Sequence, residues 1–284
     1  MTAACVDLVV VHRGEPDRVA ETVARFRDQP VPVRVVVVDN GSSDADRRRL
    51  VFPDDVTVLD LGGNHGFGPA ANAGFRWYLA RAGAPWLAVA PHDARPAADC
   101  LERLVAELER RPRAGLASAD VGDGFTPVVD RYIGAIPTPA RVLHGWEPAG
   151  YPHGTLMVAR RTCLEEIGLF DERYFAYCEE ADLGMRARRS GWQVGVVRGA
   201  EVRNSHLSSR VAVVDYLQLR NTLLLVRDHF GRYPATMRLL MAVWQLAVGL
   251  VVADRRGPYW HPRARAHALV DFLRGRFGPP PPFD

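Results

Sequence analysis

The sequence predicts an α/β fold: a mostly parallel sheet flanked by helices, followed by a helical C-terminal extension. Three observations predict it. Continuously apolar runs such as "DLVVVH" and "VRVVVVD" read as strands buried on both faces. They alternate with amphipathic stretches such as "DRVAETVARFRD". Beyond about Val211 the pattern becomes wholly helical.

The elements follow in order. "DLVVVH" is the first strand, and the helical spacing of apolar residues in "DRVAETVARFRD" makes the first helix. "VRVVVVD" and "VTVLDL" are the second and third strands. A helix from about Pro69 to Arg81, the strand "WLAVA" and a helix from about Pro96 to Arg110 come next. From Ala114 to Tyr151 the periodicity weakens while Gly, Pro and Asp accumulate, which reads as loops and short strands. "GTLMVA" is another strand, "EEADLGMRARRSG" a helix stopped by Gly191, and "WQVGVV" the strand after it. The tail "GPPPPF" is polyproline in character and reads as a disordered end. Residues 1–93 and 94–210 are expected to form two halves of one domain, 211–278 the helical extension and 279–284 the tail.

Composition narrows the function classes. A formal charge of +3 over 284 residues gives no argument for a nucleic-acid partner. All 36 basic residues are arginine, which excludes a lysine Schiff base and a lysine-bearing phosphate loop. The cysteines Cys5, Cys100, Cys163 and Cys178 form no C-x-x-C pair, as expected for buried thiols in a reducing compartment. The first residues run straight into the strand-like "VDLVVV", so no signal peptide is expected. The longest apolar stretch, Leu239–Ala253, is 15 residues, short of the roughly 20 needed to span a bilayer.

Four constellations carry candidate chemistry. In open parallel sheets ligands bind beyond the carboxyl ends of the strands. "VVVVDNGSSD" places Asp39 there, where a carboxylate can accept hydrogen bonds from a nucleobase or ribose; an ordinary strand-to-helix turn accounts for the same residues. "GGNHGFGPAANAG", Gly62–Gly74, brings five glycines and two asparagines to a helix start, where backbone can approach a ligand closely. It is neither a Rossmann nor a P-loop fingerprint. "APHDARP" sets Asp93 just past a central strand, fit to hold a divalent cation or to cap a helix. "FDERYFAYCEEADLGMRARRSGW" packs Glu179, Glu180 and Asp182 among aromatic residues, where an apolar setting raises a carboxylate's pKa towards general-base work. Favourable placement at a helix N-terminus explains the same acids.

Together and in this order, "VVDNGSSD", "NHGFGPAANAG", "PHDA" and "GLFDERYFAYCEEADLGMRARRSG" resemble the family 2 inverting glycosyltransferases of GT-A (Rossmann-like) fold, nearest the rhamnosyltransferase-like branch. The match runs from about residue 4 to 230, with a looser echo to about 278. The resemblance implies transfer of a hexose, rhamnose for instance, from a nucleotide-diphospho-sugar to a hydroxyl of a glycan, a lipid-linked glycan or a secondary metabolite. It implies a dTDP- or UDP-hexose donor held by Val11, His12, Arg13, Asp39, Asn40, Asn64, Gly66, Phe67, Asn72, His92 and Asp93. Glu180 is the expected base, with Glu179 and Asp182 beside it; His153 and Tyr177 are expected at the acceptor. Asp93 and His206 would hold a divalent cation, Mg2+ or Mn2+. Two departures stand out: Glu180 replaces the family's aspartate, and "PHD" replaces "NPD", leaving one acid for the metal. "LRN", Leu219–Asn221, also matches the branch, without a role that sequence assigns.

Residues 1–93 are thus expected to bind the donor and 94–210 to carry acceptor binding and catalysis. The expected location is the cytoplasm, with peripheral contact at the inner face of the membrane or a homodimer through the C-terminal helices. The rival readings are a catalytically degenerate nucleotide-sugar binder and a nucleotidyltransferase. The second would want a basic glycine-rich signature after the first strand, and "VVVHRGEPDR" has one glycine and no lysine there.

Overall fold

The computed structural model describes residues 5–204 and 211–283. The chain runs β1 (Val6–His12), α1 (Pro16–Arg27), β2 (Val33–Asp39), α2 (Asp44–Arg47), β3 (Thr57–Asp60), α3 (Phe67–Leu79), β4 (Trp86–Pro91), β5 (Ala94–Pro96), α4 (Cys100–Glu109) and β6 (Ala114–Asp120). It continues β7 (Phe125–Asp130), β8 (Gly134–Pro139), β9 (Gly145–Pro148), β10 (Met157–Arg160), α5 (Arg161–Ile167), α6 (Glu179–Arg189), β11 (Gln193–Asn204), α7 (Val211–Phe230), α8 (Arg232–Val251) and α9 (Pro262–Leu273).

The main sheet has the order β3-β2-β1-β4-β10-β6-β11-β5, with β9 alongside β11. β3, β2, β1 and β4 are parallel, and β11 is parallel to β6. β10 runs antiparallel to both β4 and β6, and β5 and β9 run antiparallel to β11. Successive residues of β1 serve opposite faces: Leu8 and Val10 pack with α1 and α4 residues such as Phe26 and Leu104. Val9 and Val11 pack with Phe75 of α3 and Leu183 of α6. Burial on both sides is why the strand reads as unbroken apolar sequence.

Three expectations need correction. The helix expected from Pro96 begins at Cys100; Pro96 instead closes β5, where its missing N–H is tolerated because β5 is an edge strand. Within the stretch expected as loops and short strands, Ala114–Asp120 is a seven-residue, almost wholly buried strand. Small alanines and glycine fill it, so it lacked the bulk of an apolar run. The tail is docked: Phe283 packs its ring on Tyr216, His261 and His267, and Arg220 donates to the Gly278 carbonyl at 2.8 Å.

α7 is buried along most of its length, between α6 and β8 of the sheet domain and α8 and α9 of the extension. This seats the extension against the strand ends.

Candidate active site

A cleft of about 850 Å3 opens at the carboxyl ends of β1, β2 and β4. β1 contributes Val11 and His12, with Arg13 beyond it, and the turn after β2 contributes Asn40. Asn64, Gly66 and Phe67 come from the glycine-rich loop, and His92 from the turn after β4. The opposite wall carries His153, Tyr177, Glu179 and Glu180, and α7 adds Gln218 and Thr222. Tyr259, in the α8–α9 connection, closes one side.

Asp39 is fully buried behind the cleft and is not among the described residues that line it; it stands side by side with His12 in the β1–β2 register. Its Oδ1 accepts from the Ser42 N–H at 3.1 Å and the Ser42 hydroxyl at 2.5 Å. Its Oδ2 has no hydrogen-bond partner, although the Arg47 guanidinium stands 3.6 Å away. Both His12 ring nitrogens are likewise buried without partners. Burial, then the neighbouring His92, lowers the His12 pKa to about 4, so the ring is neutral. Buried polar atoms left unpaired are expensive, and a ligand's donors would satisfy them.

Asn40 ties the turn after β2 to the glycine-rich loop. Its Nδ2 donates to Asn64 Oδ1 and the Gly66 carbonyl at 3.2 Å, and its Oδ1 accepts from the His65 N–H at 2.8 Å. Gly66 has φ +95°, and a Cβ there would lie 2.7 Å from the Phe175 carbonyl carbon. Only glycine lets the donor loop lie under the loop that carries the acids.

That second loop is strained. Phe175, Tyr177 and Cys178 take φ of +62°, +68° and +72°, a conformation that costs non-glycine residues on the order of 1 kcal/mol or more each. Asn221, fully buried in α7, holds it: Nδ2 reaches the carbonyls of Tyr174, Ala176 and Tyr177 at 2.7–2.8 Å. Arg220 donates to Asn221 Oδ1 and fixes the amide. The "LRN" motif therefore sets the entry to α6, a role visible only once α7 is placed beside the loop.

The three acids of α6 separate in environment. Asp182 is turned into protein: Arg186 holds it at 2.8 Å and the His229 ring at 2.8 Å. Burial alone would raise its pKa, but His229 and Arg186 keep it low. Glu179 is 2% exposed, and its Oε2 has no hydrogen-bond partner; burial and then the Glu180 charge push its pKa well above the ordinary carboxylate value. Burial raises Glu180 to about 7, against a backbone hydrogen bond that pulls the other way. Two carboxyls pushed apart in this way take different roles, and Glu180 is the one that can accept a proton near neutrality.

Not every expected residue reaches the cleft. Asn72 instead clamps the other side of the acidic segment, donating to the Phe170 carbonyl at 2.8 Å and accepting from its N–H at 3.0 Å. Asp93 sits in the turn after β4, nearly buried, and is not among the described residues that line the cleft. His206 lies outside the described residues. Among the described residues no three His, Cys, Asp or Glu side chains converge on a possible metal position. The described side chains therefore do not make a cation cage by themselves. His153, its pKa lowered by burial, accepts from the Thr155 N–H at 3.2 Å.

Comparison with known proteins places this geometry. Residues 7–168 match the model of glycosyl transferase family 2. The chain is 31% identical over 264 residues to an N-acetylglucosaminyl-diphospho-decaprenol L-rhamnosyltransferase of Mycobacterium tuberculosis, covering 81% of this chain and 77% of the relative. It is 26% identical over 232 residues to the low-salt glycan biosynthesis hexosyltransferase Agl10 of Haloferax volcanii, covering 74% of each. In fold it is similar to a mannosyltransferase of Pyrobaculum calidifontis in complex with GDP-Man and Mn2+, with a TM-score of 0.59 at 18% identity over 95% of this chain and 86% of that one.

Proposed function

The chain belongs to glycosyl transferase family 2 and is a glycosyltransferase, and on that premise we propose that it moves a hexose with inversion, using Glu180 as base. The observation that carries the reading is the Glu180 carboxyl, with its pKa raised to about 7, in the same cleft as the donor-side residues Val11, Asn40 and Asn64.

The donor is a nucleotide-diphospho-sugar whose base or ribose is recognised on the Asp39 side, where the carboxylate lies buried behind the cleft lining with Arg47 as its ion-pair partner, and whose diphosphate is drawn towards the Arg13 guanidinium. Glu180 takes the proton of the acceptor hydroxyl. The oxygen attacks the anomeric carbon from the face opposite the diphosphate. The bond from that carbon to the diphosphate oxygen breaks, its electron pair leaves with the nucleoside diphosphate, and the configuration inverts.

The name of the rhamnosyltransferase relative supports rhamnose as the transferred sugar and a polyprenyl-diphosphate-linked sugar as acceptor; dTDP or UDP is proposed as the donor's nucleotide from the sequence resemblance alone. The mannosyltransferase neighbour, which holds Mn2+, supports a divalent cation in general; Mg2+ or Mn2+ is proposed, with Asp93 and His206 as its candidate side chains. A cytoplasmic location fits a nucleotide-sugar donor. The test is transfer from labelled dTDP-rhamnose and UDP-hexoses to a lipid-linked N-acetylglucosamine, by wild type and by Glu180→Gln. Retained nucleotide binding with loss of transfer supports Glu180 as base; full turnover by Glu180→Gln removes it.

A further inference from the structure

The outward face of α8 is built against the usual rule. A helix lying on a soluble domain turns its polar face to water. Here Tyr233, Leu240, Trp244 and Val251, spaced by seven, four and seven residues and so on one side, are 65%, 57%, 62% and 84% exposed. Val243 and Leu250 widen the stripe. No charged residue occurs from Leu239 to Ala253.

The inward face carries a stripe of small residues beside Arg238, Leu239 and Leu246. Ala235, Ala242 and Gly249, each seven apart, are buried against the domain. A Cβ at Gly249 would lie 2.6 Å from the Trp260 ring, so the indole rests directly on the helix backbone. Arg256 Nε donates to the Gly249 carbonyl at 2.8 Å and fastens the end of α8. The helix is 20 residues long and apolar enough to cross a bilayer by composition, yet it packs lengthwise on α7 and α9. Lying along the domain, it is suited to a surface rather than a crossing.

We propose that this face docks the enzyme on an anionic lipid bilayer. Arg232 stands at one end of the stripe and Arg255 and Arg256 at the other, all exposed, against one exposed acid, Asp254. That is the charge arrangement that meets anionic headgroups. Tyr233 and Trp244 are the residue types that favour the headgroup level. The patch is also joined to chemistry: Trp260, which packs on Gly249, adjoins Tyr259, which lines the cleft. A lipid-linked acceptor held at the headgroups would thus meet the cleft mouth beside α8. The choice of bilayer over other apolar partners rests on the lipid-linked acceptor proposed above.

The test is flotation of the full chain with vesicles of phosphatidylcholine alone or with about one-third phosphatidylglycerol. The wild type is expected to float with the anionic vesicles, less so as salt rises. Leu240→Ser with Trp244→Ser should weaken flotation by at least ~10-fold. Arg232→Gln with Arg255→Gln should weaken it by roughly 5-fold per arginine, on anionic vesicles only. All variants should keep the wild-type thermal midpoint and turnover on a short, water-soluble acceptor. Flotation unchanged by the serine pair would overturn the proposal. So would a concentration-dependent dimer, abolished by the serine pair, in a chain that does not float. Transfer to the soluble acceptor without vesicle binding rejects the docking face alone. Vesicle binding without transfer to any lipid-linked acceptor rejects the acceptor reading and leaves the face standing.

Discussion

Replacing Gly154 by alanine is expected to cut turnover by about 10²-fold while sparing both the fold and nucleotide affinity. Gly154 lines the cleft directly beside the Glu180 carboxyl. A Cβ built on it would lie 3.1 Å from Glu180 Cδ and deeper still inside the contact distance of Oε1. Ordinary carbon contacts begin near 3.4 Å, so the carboxyl must swing aside. The obstacle meets the far end of a flexible side chain, and the overlap is relieved by rotating Glu180 rather than by moving backbone. A shift of about 1 Å at a proton acceptor is enough for the stated loss, or ~2.7 kcal/mol in the barrier. The assay is release of nucleoside diphosphate at saturating donor and acceptor, beside nucleotide titration by calorimetry and a thermal scan. Wild-type turnover in Gly154→Ala would refute the claim that Glu180 acts from its observed position. An equal fall in nucleotide affinity would show that the residue serves the donor instead.

Four further outcomes are expected. The wild-type kcat/KM should rise with pH about a midpoint near 7, because only the ionised Glu180 accepts a proton; a flat profile between pH 5.5 and 8, given as approximate limits, would remove it. The same raised pKa means that the fold favours the neutral acid. Its stabilising effect is complete below the ordinary carboxylate value and is lost as pH rises through about 7, so Glu180→Gln should be more stabilising, relative to wild type, at high pH than at low pH in thermal scans. Asn221→Ala removes the side-chain amide that bonds three carbonyls of the strained loop and should cost about 2–4 kcal/mol by denaturant unfolding, with turnover falling before nucleotide affinity does. Asp39→Asn keeps one acceptor oxygen but loses the charge, and should weaken nucleotide binding by roughly 10–100-fold in calorimetry with little change in stability.

Much of the fold could be read from contiguous residues. The unbroken apolar runs at Val6–His12 and Val33–Asp39 announce two-sided burial, and the strand-to-turn switch at Asp39–Asn40 announces a strand end. Those properties belong to neighbouring residues, so periodicity and turn chemistry suffice. The direction of β10 was beyond reach, since a four-residue strand, three apolar residues and an arginine, looks alike in either orientation. Ala114–Asp120 hid because alanine and glycine make a strand only where close-packed neighbours supply the bulk.

The sequence by itself determined that acids and small polar residues collect at strand ends and at the start of α6. Only the tertiary structure decided which of them can act. Asp182 falls to Arg186 and His229, Glu179 is sealed away from water, and Glu180 alone combines cleft access with a pKa near neutrality. Asn221 and Gly154 acquire their roles from partners 44 and 26 positions away along the chain, at Tyr177 and Glu180. Desolvation, charge proximity and steric room are fixed by whatever packs around a group, and for these residues that is chain remote in sequence, which no local pattern encodes.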